Sequence, residues 1–95
     1  MQLKRDDVEA ALERKGFRRN EQKDHRKFHY WTASAKKTAI WTKTSRGTAY
    51  KMLYDELISQ MAKQMKLTKQ EFDQFVACDI EQTEYEQLLA ERGLL

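Results

Sequence analysis

Residues 25–33, His-Arg-Lys-Phe-His-Tyr-Trp-Thr-Ala, change character at every second position. Phe28 and Tyr30 fall on one side, and His25, Lys27, His29 and Trp31 on the other, which is the period of a β-strand with one buried face. Residues 38–43 repeat the pattern, with Thr38, Ile40 and Thr42 alternating against Ala39, Trp41 and Lys43. Threonine and aromatic enrichment favours strands over helices here. A turn at Ser34–Lys37 joins the two runs. Phe17–Asn20 reads as a further short strand before a turn at Glu21–Asp24.

On both sides of this block the period is helical. Val8, Ala11, Leu12 and Lys15 share one stripe of a helix over 5–15, with Asp6, Asp7 and Glu9 near its positive end and Gly16 in the C′ position. Beyond residue 48, Thr48 is a candidate N-cap for a long helix reaching 66, whose stripe is Tyr50, Leu53, Tyr54, Leu57, Ile58, Met61 and Met65. The methionines in this stretch, Met52 included, read as core filler. Thr68 and Glu71 have capping-box spacing and open a third helix that buries Phe72, Phe75 and Val76. A last helix, about 82–92, buries Tyr85, Leu88 and Leu89 and stops at Gly93. Strands grouped between and before helices predict an α+β fold with helices covering one sheet face.

At 95 residues the chain is expected to form a single domain, residues 1–95. Ten aromatic residues are too many for a disordered chain, despite a mean hydropathy of -0.91. No apolar run approaches the roughly 18–20 residues of a membrane span, so no membrane partner is expected. No signal peptide is visible at the start, and the lone Cys78 has no disulfide partner in the chain. A reducing cytoplasm is the simplest compartment.

The net charge of +3 conceals a division. Residues 1–51 hold 14 Lys/Arg against 6 Asp/Glu, a surplus of +8, while residues 52–95 hold 4 against 9, a deficit of −5. Such a basic half is the electrostatic footprint of a polyanion binder, nucleic acid above all. It also permits self-neutralisation by the acidic half, within one molecule or across a dimer. Trp31 and Trp41 amid His and Lys suit base stacking with nearby phosphate contacts. They equally suit a homodimer contact or packing under the last helices. The segment Lys43-Thr44-Ser45-Arg46-Gly47-Thr48, leading to a helix start, suits a phosphate as well as ordinary capping.

Several chemistries are excluded. There is no glycine-rich phosphate loop and no hydrolase nucleophile elbow. His25 and His29, four apart on a strand, are separated by roughly 13 Å and cannot share a metal. No metal site and no cofactor are expected. His25, after Asp24 at the start of the main strand, has the chemistry of a general base or acid at neutral pH. The plain alternative is a solvent-facing or hydrogen-bonded histidine.

A first helix ending in Lys15-Gly16-Phe17, a histidine opening the next long strand at His25, and a Gly47-Thr48 step resemble the HicA family, toxins of HicBA toxin–antitoxin systems. The similarity spans about residues 5–66. It implies a fold like the double-stranded-RNA-binding domain, an α-β-β-β-α core, here with two additional C-terminal helices over 67–95 as in longer HicA-like proteins. That longer group carries a histidine in the Ser-x-Gly position where this chain has Arg46. Lys23-Asp24 stands where the short toxins have Gly-Ser or a similar pair, and Thr44-Ser45-Arg46 replaces a proline and basic step. The family's catalytic histidine falls on His25. The activity implied is a metal-independent endoribonuclease, an mRNA interferase neutralised by an antitoxin protein. RNA would lie across Lys27, Lys36, Lys37, Lys43 and Arg46. His25 would take the 2′-hydroxyl proton, and the resulting oxyanion would attack the adjacent phosphorus. The same fold used only for binding, or a protein-interaction module dimerising through the Trp31/Trp41 face, are the other expectations.

Overall fold

A computed structural model describes residues 2–77 and 79–95; Cys78 lies outside them. The fold is α+β. Its elements are β1 (Gln2–Lys4), α1 (Arg5–Arg14), β2 (Phe17–Glu21), β3 (His25–Trp31), β4 (Lys37–Ser45), a 3-10 turn (Thr48–Tyr50), β5 (Met52–Tyr54), α2 (Asp55–Gln64), α3 (Lys69–Val76) and α4 (Gln82–Glu91).

Strands β2, β3 and β4 form an antiparallel sheet in that order, with Arg18 opposite His29, Lys27 opposite Lys43, and His29 opposite Trp41. The register slips between His29 and Trp31, so Trp31 faces Lys37. Alternation sends Phe17, Phe28, Tyr30 and Ile40 into the core, joined by the buried hydroxyls of Thr42 and Thr44. These residues meet Val8, Ala11 and Leu12 of α1, Ile58, Met61 and Ala62 of α2, Phe72 and Phe75 of α3, and Tyr85 and Leu89 of α4 in one apolar cluster. The opposite sheet face is not part of that cluster.

Gly16 ends α1 as its spacing predicts, and two constraints require glycine there. Its φ is +107°, and an added Cβ would lie 2.7 Å from Tyr30 Cε1 and 2.9 Å from the Trp31 carbonyl oxygen. The close passage lets Gly16 accept the Trp31 N–H at 2.9 Å, which ties α1 to the sheet.

The predicted helix over 48–66 is corrected. Thr48 opens one 3-10 turn, and α2 begins only at Asp55. Between them β5 pairs antiparallel with β1, placing Leu53 opposite Leu3 and Tyr54 opposite Gln2. Leu53 is buried at 2% exposure, whereas Tyr50 and Tyr54, expected on the buried stripe, are 43% and 58% exposed. A short apolar run fits both periods, and pairing with the N-terminal strand decides between them. Asp55 and Glu56 then occupy the first turn of α2, where carboxylates suit the helix dipole.

The C-terminal helices are built into the core. The Thr68–Glu71 capping box opens α3 as expected. Arg92 donates to the Lys66 carbonyl at 2.5 Å and to Glu71 at 2.6 Å, which holds the Glu71 carboxyl below its usual range. Phe72, Phe75, Tyr85 and Leu89 are fully buried, while Val76 and Leu88 are only partly so. The Tyr85 hydroxyl donates to the Met65 carbonyl at 2.8 Å. Glu86 accepts the Tyr30 hydroxyl at 2.5 Å and the Ala33 N–H at 2.7 Å; burial, then this carboxylate, pushes the Tyr30 phenol far above its ordinary range. Lys15, only 1% exposed, donates its ammonium to the carbonyls of Phe75 and Ile80. It therefore serves the negative end of α3 rather than that of its own helix.

Candidate nucleic-acid interface

The open sheet face is built by alternation. Phe17 points inward, so Arg18 and Asn20 point outward on β2. On β3 the outward set is His25, Lys27, His29 and Trp31, and on β4 it is Lys37, Ala39, Trp41, Lys43 and Ser45. None of these eleven side chains is a carboxylate.

Cations and rings interleave across this face. The Arg18 guanidinium lies 3.8 Å from the Trp31 ring centre, and the Lys27 ammonium lies 5.1 Å from that of Trp41. The His29 and Trp41 rings are 6.4 Å apart, centre to centre. A cation–π contact at an exposed site stabilises by only about 0.5–1 kcal/mol, so these pairs orient the side chains without locking them. At the Trp31 end an open groove adjoins the face, lined by Glu13, Arg18, Trp31, Thr32, Ala33 and Gln82 among others, so the carboxylate-free surface ends at Glu13.

The remaining arginines of the basic half are occupied elsewhere. Glu9 of α1, 4% exposed, accepts from Arg26 at 3.0 and 3.1 Å, from Arg19 at 3.4 Å and from the Thr44 hydroxyl at 2.6 Å. Arg19 also meets Glu13 at 2.6 Å and Glu21 at 3.3 Å. Arg5 is buried and donates to the carbonyls of Ser45 at 2.7 Å and Gly47 at 2.9 Å, which fixes the loop after β4. Carboxylates thus neutralise arginines on the helix side. Among the described residues, Arg18, Lys27, Lys37 and Lys43 have no carboxylate within ion-pair distance.

The structure brings together Lys27, Trp31, Lys37, Trp41 and Lys43 from the sequence-derived site. Lys36 lies in the β3–β4 turn, where its carbonyl accepts the Thr32 N–H at 2.9 Å. Arg46 reaches instead to the β2–β3 turn, donating to the carbonyls of Gln22 at 3.1 Å and Lys23 at 3.4 Å and lying 3.5 Å from Glu21. The expected phosphate pocket at a long-helix N-terminus after Thr48 does not form, because no long helix starts there. Arg18 is the site residue that sequence reasoning missed. Its signal was present: if Phe17 is inward on a strand, Arg18 is outward beside Trp31.

His25 opens β3 opposite Ser45. Its Nδ1 is enclosed without a hydrogen-bond partner among the described residues. His29 lies mid-face; partial burial, then the charges of Lys37 and Lys27, holds its pKa below the ordinary 6.5. Among the described residues no group of three or more His, Cys, Asp or Glu side chains is placed to hold a metal, and no helix is long and apolar enough to cross a membrane. No family model, no curated protein and no solved structure matches this chain.

Proposed function

We propose that this protein binds RNA through the open face of the β2–β3–β4 sheet. The observation that carries the proposal is the sorting of charge. Acidic residues engage arginines on the helix side, and the open face keeps Arg18, Lys27, Lys37 and Lys43 around two tryptophans without a carboxylate. Polyphosphate is the ligand that such a face attracts at long range. The HicA-like assignment and its antitoxin partner belong to the same proposal. The run α1-β2-β3-β4 is the part of the element order that fits the assignment, while β1 and β5, the latter between β4 and α2, lie outside it.

Binding without cleavage is the favoured form. A histidine base works best when its second nitrogen is held by an acceptor, and among the described residues His25 Nδ1 has none. His29 stands about 13 Å along the strand, too far to act on the same phosphate.

The test is anisotropy of a labelled single-stranded RNA at increasing salt. Four phosphate contacts give a slope of log K against log salt of about −3, or roughly a 50-fold loss between about 50 and 200 mM. The double variant Lys27→Ala, Lys43→Ala should reduce the slope by about 1–1.5. No binding at low salt, or binding indifferent to that variant, rejects this interface. RNA cutting abolished by His25→Ala would replace the binding-only form with the ribonuclease.

A further inference from the structure

We infer that the ligand of this face is single-stranded, with two successive bases stacked on Trp41 and Trp31. The inference rests on the face being a nucleic-acid interface and specifies what kind of strand it accepts.

Trp41 stands opposite His29, and Trp31 lies two residues further along β3 on the same face. That advance of two residues along the strand is roughly 6–7 Å, and the register slip at this step rules out a regular diagonal contact between the two indoles. Bases in a duplex rise only about 3.4 Å per step, and their faces are covered by their neighbours. One strand therefore meets both indoles only if its bases are unstacked and splayed. A single strand does this readily, and a duplex must melt first.

The cations support the same occupant. Arg18 lies over Trp31 and Lys27 over Trp41, so each indole comes with its own positive charge. Base–indole stacking is stronger than an exposed cation–π contact. An arriving base displaces the cation from the ring, and the released cation then pairs with the phosphate of that nucleotide. Lys43 opposite Lys27 and Lys37 opposite Trp31 line the second side of the path.

The chain has two tryptophans, both on this face, so intrinsic fluorescence of the 95-residue chain reads the site directly. Four ligands of about ten units suffice: a mixed-sequence RNA strand, the same sequence as DNA, an abasic sugar-phosphate strand, and an RNA duplex. Both single strands should quench the emission, and the RNA and DNA arms show whether the sugar matters. The abasic strand should bind more weakly and without quenching, and the duplex should bind no better than it. Trp31→Phe and Trp41→Phe should each remove part of the quench. Trp31→Ala and Trp41→Ala should each weaken single-strand binding roughly 5- to 150-fold and leave abasic binding unchanged. Should an alanine variant fail to fold, as judged by circular dichroism, the phenylalanine pair and the abasic comparison still decide. Equal affinity for base-bearing and abasic strands, or a duplex preferred without quenching, overturns stacking while leaving the interface intact. No binding of any of the four overturns both.

Discussion

At the level of single residues, His29 links the face to pH. Its neighbours are Lys27 and Lys37, the ring of Trp41, and Arg18 across β2. Burial, then the two lysines, keeps its pKa below 6.5, so the free protein carries it neutral at physiological pH. A bound phosphate reverses that balance by supplying negative charge, and binding then takes up a proton. RNA affinity should rise as pH falls between about 7.5 and 5.5, and His29→Gln should flatten part of that rise. Fold stability should move the other way. The unfolded chain protonates this histidine more readily than the native one, so stability falls as pH drops through 6.5. Anisotropy titrations and urea melts at several pH values check both signs. An affinity that ignores pH equally in wild type and variant would remove His29 from the site. The alternation placing His29 beside Lys27 was legible in sequence; the closeness of Lys37 was not, because it follows from the register slip after His29.

Between elements, the link of interest is α1 to the sheet through Glu9. One buried carboxylate gathers Arg26, Arg19 and Thr44. Removing it leaves the Thr44 hydroxyl and the Arg26 guanidinium without their main acceptor. Loss of a buried partner costs about 3–5 kcal/mol when both charges are enclosed. Arg26 and Arg19 keep 21% and 29% side-chain exposure, so Glu9→Ala should cost less, about 2–3 kcal/mol. Urea unfolding with an unchanged m-value measures this, and a loss under about 1 kcal/mol would show that water replaces the carboxylate. Because Arg26 is drawn to the helix side, it adds nothing to the open face. A residue count could not separate Arg26 from Lys27, whereas strand alternation does. The β1–β5 pair was not legible: β1 has three residues, and β5 lay inside a stretch with helical spacing.

For the molecule as a whole, residues 68–95 supply Phe72, Phe75, Ile80, Tyr85 and Leu89 to the core. At about 1.5–3 kcal/mol per buried side chain, their combined contribution is comparable to the whole stability of a small domain. Truncation after Leu67 also strips Lys15 of its two carbonyl acceptors and Tyr30 of Glu86. The truncated chain should lose its cooperative thermal transition and its near-ultraviolet circular dichroism. A cooperative melt within a few degrees of the full chain would show that the α1–α2 part folds alone.

The sequence by itself determined the α+β class, the three-stranded block, the inward Phe28–Tyr30–Ile40 set and the outward Trp31–Trp41 set. Period-two alternation is a local property, and burial of one face enforces it. It also determined the α1 terminus and the α3 capping box, since both are set by residues within one helical turn. Only the tertiary structure decided which of the basic residues stay unpaired, that Arg46 turns to the β2–β3 loop, and that Lys15 is buried against α3. Those outcomes depend largely on partners distant in sequence, as far as 65 residues away for Lys15. The start of α2 belongs with them: Leu53 and Tyr54 fit a helix stripe until β1 offers a strand to pair with, and hydrogen bonding between chain-distant backbones then outweighs local spacing.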